Sequence, residues 1–302
     1  MKKIIIVISL FITLGSNAQQ DPQYTQYMYN TINVNPAYAG SRGVLSIFGL
    51  HRTQWVGLEG APVTNTLSVN SPIGKNVGLG VSFINDRIGV MDENSLSVDF
   101  SYTIKASDTH KLAFGLKGTA DVLNVDYTKL NIYSPTDPSY QTNIENHFMP
   151  NFGVGIYWYS DTSYIGLSVP NLLESDHYDD NVVAVAQEKM HYYLIGGYVF
   201  DLSYNLKFKP AAMVKAAFGA PLQVDLSANF LFAEKFTTGL AYRWDAAVSA
   251  LVGFQITKGI FAGYAYDMET TKLQNYNSGS HEIFLRFELF SKQKNVMDPR
   301  FF

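Results

Sequence analysis

The 302-residue sequence contains no cysteine, so it has neither a disulfide framework nor the thiol of a lipoprotein anchor. Charge is scarce: Asp, Glu, Lys and Arg make up 16% of the chain, against roughly 25% in an ordinary soluble protein. Beyond residue 18, no apolar run reaches the roughly 18 residues that a membrane-spanning helix needs. None of the six histidines sits in a nucleophile elbow or a His-x-x-x-His pair, and Walker loops and dinucleotide fingerprints are missing too. The expectation is a protein that is not an enzyme and holds no metal or cofactor. The acidic run Glu174-Ser175-Asp176-His177-Tyr178-Asp179-Asp180 lacks the spacing of an EF-hand loop and reads as a solvated surface loop.

The N-terminus carries an export signal. Met1-Lys2-Lys3 is a positive n-region, Ile4 to Leu14 an apolar h-region, and Ser16-Asn17-Ala18 offers small residues where a signal peptidase reads. Cleavage is expected after Ala18, making residues 1–18 a signal peptide. Without Lys2 and Lys3, 20 basic residues face 26 acidic ones, a net charge of −6. No basic patch survives, which excludes a nucleic-acid partner.

Aromatic residues are abundant, with 20 Tyr and 20 Phe, and the apolar residues alternate. Leu96, Val98, Phe100, Tyr102 and Ile104 share one face, opposite Ser95, Ser97, Asp99, Ser101, Thr103 and Lys105. Period-two alternation of this kind is a strand signal. Several runs reach nine to twelve residues, longer than the usual five or six of a globular strand and close to the nine to eleven of a tilted transmembrane strand. About fourteen segments are expected, starting near Val44, Thr64, Val77, Ser95, Lys111, Asn151, Tyr164, His191, Leu206, Leu222, Phe236, Ala247, Ile260 and His281. The fold predicted is an all-β antiparallel transmembrane barrel over residues 43–290. A secreted β-sandwich is the soluble alternative.

Loop lengths sort by parity. Most long connections follow odd-numbered strands: Arg52–Val63, Asn85–Asn94, Asn124–Pro150, Pro170–Met190 and Asp267–Gly279. Those after even-numbered strands are short, and two odd ones, at Gly219-Ala220 and Trp244-Asp245, are short as well. Outer-membrane barrels have short periplasmic turns and longer extracellular loops. Trp55, Tyr157-Trp158-Tyr159, Tyr192-Tyr193, Tyr242 with Trp244, and Tyr264 with Tyr266 are expected at the headgroup girdles of such a barrel.

Fourteen strands enclose more space than their side chains alone can fill. The inward set includes Asp99, Lys117, Asp121, Lys207, Lys209, Lys215, Asp225, Arg243, Arg286 and Glu288. Two hairpins predict ion pairs, Asp99 with Lys117 and Lys215 with Asp225, as structural ladders or as a selectivity ring. Residues 19–42, with Asp21-Pro22 and Asn35-Pro36-Ala37-Tyr38-Ala39-Gly40, are irregular by their prolines. They form either a plug in the lumen or a periplasmic tail.

Several stretches together resemble the PorP/SprF family of type IX secretion system membrane proteins. They are Gln20-Asp21-Pro22-Gln23-Tyr24-Thr25-Gln26-Tyr27 followed by Asn35-Pro36-Ala37-Tyr38-Ala39-Gly40, then Arg52-Thr53-Gln54-Trp55, Ala61-Pro62-Val63-Thr64, Gly78-Leu79-Gly80 and Asn85-Asp86-Arg87-Ile88-Gly89. The series continues with Tyr164-Ile165-Gly166-Leu167-Ser168-Val169-Pro170-Asn171, Ser280-His281-Glu282 and the terminal Pro299-Arg300-Phe301-Phe302. The resemblance implies an outer-membrane protein with no active site, partnered by outer-membrane lipid and type IX components. Such a protein serves the secretion and gliding-motility apparatus, or acts as a receptor for secreted cargo such as adhesins with a C-terminal sorting domain. Residues 291–302 are expected as a periplasmic tail. An alternative is an outer-membrane channel for hydrophobic or small solutes, similar to fatty-acid transport barrels.

Overall fold

The computed structural model describes residues 23–130, 143–174 and 189–289. The signal peptide, Asp21 and Pro22, the run from Ser175 to Asp180, and the tail with Pro299, Arg300, Phe301 and Phe302 lie outside the described residues.

Fifteen strands form one antiparallel sheet: β1 (Leu45–Thr53), β2 (Val63–Pro72), β3 (Val77–Ile88), β4 (Met91–Lys105), β5 (Lys111–Val125), β6 (Ile144–Tyr159), β7 (Ser163–Val169), β8 (His191–Tyr198), β9 (Phe200–Ser203), β10 (Leu206–Ala217), β11 (Gln223–Phe232), β12 (Phe236–Arg243), β13 (Ala247–Thr257), β14 (Ile260–Glu269) and β15 (Ser280–Leu289). Apart from β8 with β9, consecutive strands pair with one another, and β15 pairs with β1 from Leu45↔Leu289 to Thr53↔His281. The sheet therefore closes. β8 and β9 both pair with β10 and together occupy one place in the wall, interrupted at the buried Val199. Counted this way the ring holds fourteen strands, with β9 as the extra segment. Among the described residues no helix is long and apolar enough to span a membrane; the strands cross it. Closure pairs the backbone polar groups that hydrocarbon cannot satisfy.

Alternation decides which face each side chain takes. On β3, Leu79, Val81 and Phe83 are exposed while Gly78, Gly80 and Ser82 are buried. On β4, Leu96, Val98, Phe100, Tyr102 and Ile104 face outward, and Ser97, Asp99 and Ser101 face the lumen. Exposed Leu, Phe, Val and Ile on successive strands make an apolar outer belt, the arrangement that lipid requires.

Several sequence expectations are corrected here. β3 continues to Ile88 and β4 begins at Met91, not Ser95. The expected long loop Asn85–Asn94 is thus a tight turn at Gly89-Val90, with Gly89 at φ +60°. β6 likewise begins at Ile144 instead of Asn151. The cause is the environment. Near the turn the outward positions of β3 and β4 become Asn85, Arg87, Asp92 and Asn94, so apolar alternation stops while backbone pairing goes on. Tyr157, Tyr159 and Tyr193 are buried in the interior and leave the expected headgroup girdle, because odd positions of β6 and β8 face inward. Trp158, Tyr192, Tyr242, Trp244 and Tyr264 do face outward.

Candidate functional site

The lumen is filled by the chain's own N-terminal segment. Residues 23–42 run through the barrel as three short 3-10 turns, Tyr27–Tyr29, Thr31–Asn33 and Pro36–Tyr38. The last is dictated locally: Asn35 caps it by accepting a hydrogen bond from the Ala37 N–H (3.0 Å), and Pro36 occupies the first position, where no N–H is needed. Tyr27, Met28, Ile32, Ala37 and Tyr38 are buried. The plug thus supplies nine residues to one buried cluster, shared with wall side chains such as Phe48, Tyr157 and Phe284.

At the end bearing the longer connections, four separate stretches of sequence converge. Arg52 Nη2 donates to Asp267 Oδ2 at 2.7 Å, and its Nη1 donates to Glu282 Oε2 at 3.1 Å and to Thr25 Oγ1 at 3.1 Å. The Thr25 hydroxyl donates to Asp267 (2.6 Å), and the backbone N–H groups of Thr25 and Gln26 donate to the Glu282 carboxylate at 3.0 and 2.9 Å. Arg52, Asp267 and Glu282 are almost fully buried. The planar guanidinium fork suits this double carboxylate, which a lysine would not reproduce. Beside the clamp, Tyr24 hydrogen-bonds Thr66 at 3.0 Å. Gln54 N–H donates to Pro62 O at 2.9 Å. The Trp55 indole donates to Glu269 at 2.7 Å, with Trp55 itself at φ +45°.

Midway down, the wall gives way to the plug. A Cβ on Gly115 would lie 2.1 Å from Ala37 N, on Gly78 2.1 Å from Ala39 O, on Gly80 2.3 Å from Ile32, and on Gly155 2.2 Å from the Asn35 side chain. Only glycine allows so close an approach. Asn35 donates to Ile156 O at 3.0 Å, and Ser168 to Val34 O at 2.6 Å. Gly40, at φ +69°, turns the chain against Pro72 and Gly78. Near the short-turn end Arg42 is bonded to Glu288, and Arg286 lies 3.6 Å from the same carboxylate.

The predicted lumen pairs separate. Asp99 and Lys117 are direct cross-strand partners 3.5 Å apart, and the Lys117 ammonium also donates to Ile32 O and Asn33 O. The pair therefore holds the plug as well as the wall. Lys215 with Asp225 is corrected: the register sets Lys215 opposite Gln223 and Asp225 opposite Met213. Asp225 takes its hydrogen-bonded ion pair from Arg243 on the other neighbouring strand, at 2.7 Å. Lys215 lies 5.8 Å from the Tyr193 ring centre. Asp267 was missed because the sequence reading placed it in a loop. Its parity with Phe261, Gly263 and Ala265 on β14 was the available signal.

Two solved structures share the fold. The Acinetobacter baumannii outer membrane protein Omp33 aligns with a TM-score of 0.51 and 7% identity over 82% of this chain and 98% of its own. The CymD monoaromatic hydrocarbon channel aligns with a TM-score of 0.51 and 12% identity over 89% and 94%. At such identities they establish the outer-membrane barrel and nothing finer. No curated protein matches the sequence. The family model described as type IX secretion system membrane protein PorP/SprF matches residues 16–287. With a clamp built from residues scattered between Thr25 and Glu282, and with almost the whole chain matched, this protein belongs to the PorP/SprF family of type IX secretion system membrane proteins.

Proposed function

We propose that this barrel acts without enzymatic chemistry as an outer-membrane component of the type IX system that holds secreted cargo at the cell surface. The cargo class is an adhesin or similar protein carrying a C-terminal sorting domain, and export of the barrel itself follows signal-peptide cleavage near Ala18. The observation that carries the reading is the plug. A wall that carries glycines where the plug passes, and a fully desolvated Arg52–Asp267–Glu282 clamp, are devices for filling a lumen permanently. A solute channel needs the opposite. Function then falls to the rim, where the connections from β5 to β6 and from β7 to β8 leave the wall at the end that outer-membrane barrels turn outward.

Shortening either connection while the barrel still assembles tests this. Loss of cargo from the cell surface is expected, with barrel abundance unchanged. Undiminished cargo retention with both connections shortened would remove the rim from the account.

A further inference from the structure

The apolar belt of the outer wall has a gap on β1. Gly49 lies in the middle of β1 on its outward face, and a Cβ there would meet nothing within 4 Å. Glycine inside a strand weakens it and often marks a place where another molecule approaches. The register sets Gly49 beside Leu285, Leu285 beside Ala262, and Ala262 beside Phe254. Two small residues among large ones leave an apolar groove of about 790 Å³, the size of a ligand pocket.

Above the groove, toward the long-connection end, the outward face turns polar, and Asn85 and Asn94 also donate to Asp92 at 2.8 and 3.1 Å. His51 Nδ1 and Asn65 Oδ1 are 2.8 Å apart, Asn65 donates to Asn85 at 3.4 Å, and Asn85 donates to Asn94 at 3.0 Å. On the other side of the groove the Tyr264 hydroxyl and His281 Nδ1 are 2.7 Å apart. The formal charges on the outward positions of this strip, Arg87 and Asp92, pair with each other at 3.0 Å. The strip also sits deep in the belt: on β2 only Leu67 and Val69 separate Asn65 from Ser71. β4 carries five apolar outward positions, from Leu96 to Ile104.

We propose that this wall binds a glycolipid of the outer leaflet, one acyl chain lying in the groove and the sugar hydroxyls on the amide and imidazole strip. Amide, phenol and imidazole groups in a row offer the donors and acceptors that hydroxyl groups match. A phosphate headgroup would call for Arg or Lys, and the one outward Arg is already engaged by Asp92. The low position of the strip lets a headgroup sink to where β2 has little apolar surface, and the groove beneath receives the chain.

The test uses the full protein in phosphatidylcholine nanodiscs doped with either galactosyl diacylglycerol or phosphatidylglycerol, with retained lipids counted by native mass spectrometry. The galactolipid is expected to be retained about tenfold over phosphatidylglycerol, the ratio that one or two extra hydrogen bonds produce. Gly49→Phe, which fills the groove, and Asn65→Leu, which interrupts the strip, should each abolish that preference. Gly118→Phe, at another open outward glycine, should leave it intact. If Gly49→Phe fails to assemble, Ala262→Leu narrows the same groove and carries the same expectation. Equal retention of the two lipids, a preference that survives the groove-filling variant, or a dimer mass that Gly49→Phe removes would overturn the assignment.

Discussion

The two sides of the lumen are built to different rules. The wall of β3 to β7 presents Gly78, Gly80, Gly115, Gly155 and Gly166 inward, with plug backbone against Gly78 and Gly115 and the Ile32 and Asn35 side chains against the others. The wall of β10 and β11 presents Lys209, Met213, Lys215, Asp225 and Asn229 instead, long side chains that reach inward. Lys209 Nζ stands 5.3 Å from the Tyr29 ring centre. One wall retreats to admit backbone and the other advances to meet side chains. Volume is therefore fixed at Gly78 and Gly115, where the neighbour is backbone and no rotamer can adjust. On the β10–β11 side, flexible groups share it.

That contrast ranks the expected effects of substitution. Gly115→Val should be the most damaging, because its Cβ would lie 2.1 Å from plug backbone. It should prevent assembly of heat-resistant barrel on electrophoresis, whereas Gly118→Val, three residues along the same strand and facing open space, should change stability by no more than about 0.5 kcal/mol.

Arg52→Met comes next. It strands two buried carboxylates, and removing one partner of a buried ion pair costs about 3–5 kcal/mol; urea unfolding in detergent would measure it. Arg52→Lys should recover only part of that loss, since the ammonium has no fork.

On the opposite wall the expected effects are smaller and unequal. Arg243→Met removes the ion-pair partner of Asp225, leaving only the Gln223 amide donating to that carboxylate, and should cost about 3 kcal/mol. Lys215→Met leaves the Asp225–Arg243 pair in place and should cost less than Arg243→Met. Equal losses in the two unfolding curves would restore the Lys215–Asp225 pairing that the register argues against.

What the sequence made legible follows the same division. Outward alternation is imposed by lipid along every strand, so strand number and closure could be read from Leu96 to Ile104 and its counterparts. The strand ends beyond the belt could not, because Asn85, Arg87, Asp92 and Asn94 are polar and still paired. A Cβ on Gly78 or Gly153 would lie 2.1 Å from backbone, at Ala39 O and Pro170 O, a closeness that only the folded ring creates. The clamp was only half visible. Arg52 and Glu282 appeared as fragments of a resemblance, but nothing local joins residue 52 to residue 267. Only closure of β1 on β15, with β14 alongside, brings them together.

Conductance across a planar bilayer tests the central claim most directly. With residues 23–42 clamped in the lumen, the intact protein should insert without steady ion current at moderate voltage. Stable, porin-like conductance steps from the intact barrel would show an open path past the plug, and the account of a closed lumen would be wrong.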